Sequence, residues 1–292
     1  MSIWNAILFG IVQGITEFVP VSSSAHLAVM FNLFGITGAG FNSKMFSVFL
    51  HFGTVIAAIV TYWRDFGELI FQTFDIAAES SAENAAAPSL RGKSAAGGRK
   101  TRKVYPGART LLMMFFASLP LAMILPINGK ISSLSDSSLL VGIMLLISGT
   151  ILFKAGQFRE GKKSAGTMTV SDAVIIGLCQ CASAIPGLSR TGVVMSAGMA
   201  TGVRADFAAK FAVMMSVPVM FIANFVRIVD AASLGFSLSE LPGCLAGMAA
   251  ALAAGYFSLK ILMGAVKRRD FSWFSYYSWV AGVIFIILTM IF

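Results

Sequence analysis

Two short stretches that interrupt apolar segments decide the fold: EFVPVSSSAH at residues 17–26 and IPGLSRTG at residues 185–192. The first lies within the apolar residues 3–34 and the second within the apolar residues 170–203. Each apolar half is about 14 residues long, shorter than the ~20 residues that a membrane-spanning helix needs. Irregular backbone is tolerated at membrane depth only where it lines a cavity inside the protein. We therefore predict two re-entrant helix–break–helix segments.

The composition of the whole chain points to a membrane protein. Its 292 residues are 57% hydrophobic and 12% charged, whereas soluble globular proteins carry about 25% charged residues. This excludes a disordered protein, a secreted disulfide scaffold and an ordinary cytosolic enzyme. Six further apolar stretches are long enough to cross a bilayer: residues 45–63, 110–127, 138–153, 205–228, 241–266 and 273–292. We predict an all-α polytopic membrane protein that forms one membrane domain over residues 1–292.

Lys and Arg are concentrated in three of the connections between these stretches. The basic connections are residues 64–109, 154–163 and 260–269. The alternate connections are poor in basic residues, because one holds Lys130 alone and residues 230–240 hold none. By the positive-inside rule the basic connections are cytoplasmic. Both chain termini are then predicted on the outer face.

The net charge of +9 is explained by the same connections. Within the first of them, residues 76–106 are rich in Ala, Ser and Gly and end in a basic cluster. This composition cannot bury a core and predicts a flexible basic cytoplasmic loop. The positive charge therefore reports on orientation in the membrane, and we expect membrane lipid but no nucleic acid as a partner.

The two interrupted segments resemble each other. AILFGIVQ at residues 6–13 lies over AVIIGLCQ at residues 173–180, and Ser22 falls over Ser189 at the same offset. Three predicted spans follow each segment, and an odd number of crossings inverts the second half relative to the first. The predicted halves are residues 1–165 and 166–292. Inverted repeats place the working site at their interface, where broken helices direct their N-termini at an anion.

The residues in the two breaks are suited to phosphate chemistry. Glu17 supplies a carboxylate, and serines 22–24 stand at a helix start, where hydroxyls cap free N–H groups and phosphate is favoured. His26 follows within one turn. Arg190 in the second break can bind phosphate oxygens through two parallel hydrogen bonds. If the breaks meet, one pocket holds a nucleophile, a proton shuttle and a cationic clamp.

Simpler interpretations compete with this one. Ser24 is explained as a plain N-cap, and Glu17 with Arg190 as a buried structural pair. Charges inside a bilayer are costly and usually functional, so we favour function for that pair. His51 is interpreted as structural support near the outer surface. Gln13 and Gln180 can simply join helices by hydrogen bonds.

The two motifs resemble the signatures of the bacitracin-resistance type undecaprenyl-diphosphatases. The resemblance rests on GITEFVPVSSSAHL at residues 14–27 and PGLSRTG at residues 186–192, and it covers nearly the whole chain outside residues 80–103. Shorter similar segments lie at residues 52–54, 62–64, 209–211 and 217–218. The sequence departs from the family pattern with Gln13 for a Glu found in some members, Ala25 for Gly and Thr191 for Ser.

The resemblance implies hydrolysis of undecaprenyl diphosphate, a polyprenyl diphosphate lipid, to undecaprenyl phosphate and inorganic phosphate. This reaction in the bacterial plasma membrane recycles the lipid carrier for peptidoglycan synthesis and confers bacitracin resistance. The implied cofactor is a divalent cation, magnesium or calcium, with Glu17 as its candidate ligand; a homodimer is left open. The predicted catalytic residues are Glu17, Ser23, His26 and Arg190. The predicted phosphate-binding residues are Ser22, Ser24, Ser189, Thr191 and Gly187, and the supporting residues are Gln13, His51 and Gln180.

The mechanism stays open at several points. Ser23 either attacks the terminal phosphorus or positions a water that does, while His26 or Glu17 handles the proton and Arg190 binds the phosphate. His26 could itself be the nucleophile. A different class of function, a transporter or flippase of a phosphorylated polyprenyl lipid, fits the same inverted repeat.

Overall fold

A computed structural model describes residues 1–36, 42–85, 106–124, 126, 131, 134, 137–232 and 237–291. These residues form eleven α-helices and no β-strand, which confirms the all-α prediction. Short 3-10 helices at Leu119–Met123 and Leu238–Glu240 extend two of them. The helices are α1 Ile3–Phe18, α2 Ser23–Leu33, α3 Ser43–Thr61, α4 Trp63–Ala85, α5 Pro106–Ser118, α6 Ser138–Gln157, α7 Val170–Ala182, α8 Arg190–Ala200, α9 Ala205–Ala232, α10 Leu241–Arg268 and α11 Ser272–Ile291.

Six helical segments are long and apolar enough to cross a membrane, as predicted. They are Ser43–Thr61, Pro106–Met123, Ser138–Gln157, Ala205–Val229, Leu238–Arg268 and Ser272–Thr289. Their outer faces carry large exposed apolar side chains such as Phe115, Phe225 and Phe257. Such a surface suits lipid rather than water. The chain is a multi-pass membrane protein.

The largest difference from the sequence-based expectation is helix α4. The predicted flexible loop at residues 76–106 is wrong at its start, because α4 continues to Ala85. Leu69 on this helix is buried while Phe71 and Phe74 are exposed, so apolar residues lie on more than one face. At its start, Asp65 accepts a hydrogen bond from Lys210 of α9. The basic cluster of the predicted loop, at residues 86–105, and Lys130 lie outside the described residues.

Both predicted interruptions coincide with helix boundaries. Helices α1 and α2 are separated by residues 19–22, and α7 and α8 by residues 183–189. The four helices have 16, 11, 13 and 11 residues, each shorter than the ~20 residues of a full crossing. Gly187 turns the second break with a φ of 101°, which glycine adopts without a steric penalty.

Glycines let the short helices approach their neighbours closely. A Cβ atom on Gly10 of α1 would lie 2.2 Å from the carbonyl oxygen of Gly247 on α10. A Cβ atom on Gly177 of α7 would lie 2.3 Å from the carbonyl oxygen of Ala117 on α5. Close backbone approach at small residues is the usual basis of helix association in membranes. Helix α1 is therefore packed closely against α10, and helix α7 against α5.

Helix α8 lies inside the protein rather than at its surface. All nine residues 191–199 are buried. Most buried apolar side chains of α8, and those of α9, belong to one core cluster that also includes Phe18 and Val21 next to the first break. The second break is thus held at the centre of the molecule, beside the first.

Candidate active site

The two breaks meet. Thr191 Oγ1 at the start of α8 donates a hydrogen bond of 3.3 Å to the backbone carbonyl of Glu17, 174 residues away in sequence. A Cβ atom on the neighbouring Gly192 would lie 3.1 Å from the Cβ atom of Pro20. Arg190 and Glu17 also interact electrostatically. The residues predicted from both motifs therefore share one site.

The carboxylate of Glu17 is the centre of this site, and its side chain is 9% exposed. Its Oε2 atom accepts hydrogen bonds from Ser23 Oγ at 2.6 Å and from Gln13 Nε2 at 2.8 Å. An ionised carboxylate only accepts, so the hydroxyl proton of Ser23 lies between Ser23 and Glu17. Hydrogen bonds of this length to a charged acceptor are the strong ones. Ser23 is thus held next to a base.

Arg190 begins helix α8 and is not neutralised by a direct ion pair. In the described part of the chain, no ion pair within 4.0 Å joins it to Glu17. Its Nη1 atom is buried without a hydrogen-bond partner among the described residues. A buried donor without a partner is costly, so the interpretation as a plain structural pair does not account for Arg190. Its free donors are suited to an anion.

His51 of helix α3, predicted as structural support, lies next to Glu17. Its Nδ1 atom lies 2.7 Å from the carbonyl oxygen of Ser47 and donates to it. This bond turns Nε2 toward the carboxylate, where it lies 4.0 Å from Glu17 Oε2. The side chain is 15% exposed. His51 can therefore influence the charge at Glu17 directly.

His26 has both ring nitrogens engaged. Nδ1 lies 2.7 Å from the carbonyl oxygen of Ser22 and must donate to it, which leaves Nε2 to accept from the hydroxyl of Tyr277 at 2.7 Å. The two rings are stacked with centroids 5.6 Å apart. A His26 nucleophile would have to give up the bond from Tyr277, whereas Ser23 is already placed beside a base.

The serines of the first break do not act as predicted N-caps. The N-cap residue Ser22 makes no side-chain hydrogen bond to the first turn of α2. Its hydroxyl instead bonds to that of Ser24, 3.2 Å away. Ser22 has a φ of 68°, an uncommon conformation for a residue with a side chain that is often found at functional sites. The uncapped N–H groups at this helix start can bind an anion.

The second break differs, because its serine is used as a cap. Ser189 Oγ accepts a hydrogen bond of 3.2 Å from the N–H of Gly192, and the side chain is buried. Gly187 lies in the turn, where a Cβ atom would meet the carbonyl oxygen of Val141 at 2.6 Å. Gly187 therefore shapes the turn against helix α6.

The two predicted supporting glutamines have different surroundings. Gln13 bonds to Glu17, and its Oε1 atom is buried without a partner in the part of the chain that the structure describes. Gln180 is fully buried, and neither of its amide atoms has a partner among those residues. Gln13 therefore belongs to the site, and no hydrogen bond described here joins Gln180 to it.

The site can hold a divalent cation only with help from the substrate. No group of three or more His, Cys, Asp or Glu side chains among the described residues could hold a metal. Glu17 and the unpartnered Oε1 of Gln13 supply two oxygen donors. Magnesium sites typically use one or two carboxylates with phosphate oxygens and water. The residues present fit a cation of that kind.

Sequence reasoning missed two residues. Tyr277 bonds to His26 from 251 residues away, and no local sequence signal marks it. Arg227 of α9 interacts electrostatically with His51, Glu17 and Arg190. A signal for Arg227 exists, because a charge within a membrane span usually has a function.

Fold and site together define a polytopic α-helical membrane protein whose buried hydroxyl, carboxylate and guanidinium groups are those of phosphoryl transfer. The model of a known family, described as bacitracin resistance protein BacA, matches residues 6–284. The chain belongs to this family.

Curated relatives cover the full length of the chain. The undecaprenyl-diphosphatase of Alkaliphilus metalliredigens is 31% identical over 100% of both chains. That of Methanosphaera stadtmanae is 31% identical over 100% of this chain and 99% of its own. That of Halothermothrix orenii is 30% identical over 100% of both.

Proposed function

We propose that this chain hydrolyses undecaprenyl diphosphate to undecaprenyl phosphate and inorganic phosphate. The observation that carries the proposal is the 2.6 Å hydrogen bond from Ser23 Oγ to Glu17 Oε2, beside the unpartnered Nη1 of Arg190. This arrangement supplies a nucleophile, its base and a cationic clamp. The name shared by the relatives supports the substrate.

In the first step Ser23 is the nucleophile. Its Oγ forms a bond to the terminal phosphorus as the bond from that phosphorus to the bridging oxygen breaks. The proton of Ser23 passes to Glu17 along the existing hydrogen bond. Arg190 and the uncapped N–H groups of α2 stabilise the charge on the phosphoryl oxygens. The lipid monophosphate leaves.

In the second step water releases the phosphate. A water molecule attacks the phosphorus as the bond from that phosphorus to Ser23 Oγ breaks. Glu17 returns to Oγ the proton that it took up in the first step, and both protons of the water leave with the inorganic phosphate. His51, with Nε2 4.0 Å from Glu17 Oε2, adjusts the charge on the carboxylate during this exchange. His26 is held by Ser22 and Tyr277 and positions the start of α2.

A divalent cation, magnesium or calcium, assists this reaction. Glu17 and the Oε1 atom of Gln13 would hold it, with phosphate oxygens as further ligands. When bound, such a cation neutralises phosphate charge. The unpartnered Gln13 oxygen supports this assignment.

We infer that α7 and α8 form a re-entrant segment that enters and leaves on the same side. Lys163 Nζ lies 2.7 Å from Asp172 Oδ1 in the first turn of α7. The backbone N–H of Lys163 donates to the carbonyl of Gly202, just beyond α8, at 3.0 Å. One residue thus contacts both ends of the segment. Helices α1 and α2 are also adjacent, since the rings of Phe9 and Phe34 are 5.6 Å apart.

The halves 1–165 and 166–292 then form an inverted repeat with both termini on the outer face. Exchanged packing supports this symmetry. In the first half, Gly10 of α1 contacts α10 of the second half, and the matching Gly177 of α7 contacts α5 of the first half. We place the protein in the bacterial plasma membrane, where its activity recycles the lipid carrier for cell-wall synthesis and confers bacitracin resistance.

The competing function is transport or flipping of a phosphorylated lipid, for which broken helices are also typical. Binding a phosphate for transport needs only hydrogen-bond donors. The Ser23–Glu17 bond adds a nucleophile with its base, which favours hydrolysis.

The proposal is tested by phosphate release from undecaprenyl diphosphate, using the purified full-length protein in detergent with magnesium or calcium. We expect steady multiple turnover that EDTA abolishes and added cation restores. Absence of turnover with either cation, together with movement of the intact lipid across proteoliposomes, would instead establish the transport function.

A further inference from the structure

Between Pro218 and Val229, helix α9 carries two polar side chains among apolar ones. Asn224 and Arg227 both lie within the membrane-spanning stretch Ala205–Val229. Asn224 is 1% exposed, and its Nδ2 donor is buried without a partner among the residues described. The two residues are three positions apart, so their side chains lie on neighbouring parts of one helix face. Arg227 is exposed at the surface of the helix. Buried polar groups usually have partners, so the unpartnered amide of Asn224 requires an explanation.

This polar pair lies beside the active site. The ring of Phe221, one turn before Asn224, contacts the ring of Phe52 on α3 with centroids 5.8 Å apart. Phe52 follows His51, whose Nε2 faces Glu17. Arg227 interacts electrostatically with His51, Glu17 and Arg190. Helix α9 therefore brings a second guanidinium toward the pocket that holds Arg190.

The charges of the pocket do not balance. Two guanidinium groups repel each other, and Glu17 is the carboxylate described as interacting with both. The remaining positive charge matches an anion with more than one charge. A simpler interpretation is that Arg227 only extends its side chain to the lipid headgroups. This interpretation does not explain why the amide of Asn224 is buried without a partner among the described residues.

We propose that Asn224 and Arg227 bind the second, lipid-linked phosphate of the diphosphate while Arg190 binds the terminal one. This inference rests on the proposed function. After cleavage the second phosphate is the leaving group, so Arg227 also stabilises the charge that develops on its bridging oxygen. The pair makes the site selective for diphosphates over monophosphates.

The test compares binding of inorganic pyrophosphate and inorganic phosphate to the purified full-length protein by titration calorimetry, which requires no turnover. The variants are Arg227→Met, Arg227→Lys and Asn224→Ala. The control is Lys44→Met, which removes a positive charge from the first turn of α3. We expect Arg227→Met to weaken pyrophosphate binding about tenfold or more, the effect of one lost charged hydrogen-bonding group. Phosphate binding stays the same, Arg227→Lys is intermediate, and Lys44→Met is unchanged.

Turnover of undecaprenyl diphosphate is measured on the same samples. We expect KM to rise about tenfold in Arg227→Met, while Lys44→Met keeps the wild-type value. Equal pyrophosphate affinity in Arg227→Met and wild type would overturn the inference and leave the proposed function intact. No turnover by the wild type, with selective pyrophosphate binding, would overturn the function and leave the two-phosphate site. If Arg227→Met does not fold, the ratio of pyrophosphate affinity to phosphate affinity is compared in Arg227→Lys, Asn224→Ala and wild type. An unchanged ratio in both variants would overturn the inference.

Discussion

At the scale of single residues, reactivity depends on which donor faces which acceptor. Ser23 and His26 stand three positions apart on α2, yet their environments differ. The hydroxyl of Ser23 bonds to Glu17 at 2.6 Å. The imidazole of His26 is fixed between the carbonyl of Ser22 and the hydroxyl of Tyr277. From this contrast we infer that Ser23 is the nucleophile and that His26 is a positioning group.

Removing the hydroxyl of Tyr277 tests this separation. In Tyr277→Phe the ring stays stacked on His26 but the 2.7 Å hydrogen bond is lost. One such bond contributes about 1 kcal/mol, so we expect phosphate release to slow by roughly three- to tenfold. The matched control is Tyr276→Phe, which changes an exposed neighbouring tyrosine. Equal rates in the two variants would show that Tyr277 does not position His26.

Position 13 tests where the cation binds. Gln13 Nε2 donates to Glu17 Oε2 at 2.8 Å, so Gln13→Glu places a second carboxylate beside the first. Two adjacent carboxylates repel without a cation and share one when it is present. We expect the magnesium concentration for half-maximal activity to fall about tenfold, with Gln157→Glu at the exposed end of α6 as the control. An unchanged concentration would place the cation elsewhere.

Much of the site was predictable because its residues lie in two local motifs. Glu17, Ser23 and Arg190 are polar residues in breaks of apolar segments, and the structure brings them together. Tyr277 was not predictable, because only tertiary packing places it beside His26. Arg227 was hidden in a stretch assigned as a plain membrane span, although its charge was visible there.

At the scale of helices, the position of the first break depends on how α1 is fixed. Gly10 contacts α10 so closely that an added Cβ atom would lie 2.2 Å from the Gly247 carbonyl oxygen. Gly10→Ala would force the helices apart, and we expect a loss of stability of about 1–3 kcal/mol. Thermal unfolding in detergent measures this loss.

The control for that variant is Gly243→Ala on α10. Its added Cβ atom would lie 3.9 Å from the nearest atom outside its own helix, an ordinary contact. Alanine is the better helix former, so stability should stay equal or rise. If Gly10→Ala unfolds at the same temperature as Gly243→Ala, close packing does not hold α1 in place.

The helices themselves were predictable to different degrees. The six long apolar stretches and both breaks were found from hydropathy, because length and composition alone define them. Helix α4 was missed because residues 76–85 adjoin a basic, Ala- and Ser-rich segment that masks their helical pattern. Contacts with distant residues, such as the hydrogen bond from Lys210 to Asp65, stabilise the start of α4. Its last ten residues, 76–85, were predicted as part of a loop.

At the scale of the whole molecule, two of the three basic connections contact each other. Arg269 Nη1, just after α10, lies 3.0 Å from Glu160 Oε2, just after α6, and Arg269 also donates to the carbonyl of Phe158. Two of the three predicted cytoplasmic connections thus touch. By the positive-inside rule we expect this end of the molecule to face the cytoplasm.

This orientation predicts the location of the C-terminus. Alkaline phosphatase fused after Phe292 should be active, because the enzyme needs an oxidising exterior to form its disulfides. The same reporter inserted after Arg159 should be inactive. The opposite pattern would reverse the predicted topology and with it the side from which the first break opens.

In the proposed mechanism Ser23, activated by Glu17, attacks the terminal phosphorus of a polyprenyl diphosphate. The most direct test of this mechanism is the rate of phosphate release from undecaprenyl diphosphate by Ser23→Ala. The matched control is Ser183→Ala, which removes a hydroxyl from the other break. This hydroxyl donates to the carbonyl of Gln180, at the end of the preceding helix α7. We expect a loss of at least about a thousandfold in Ser23→Ala and near-normal release in Ser183→Ala. Near-normal release by Ser23→Ala would show that Ser23 is not the nucleophile.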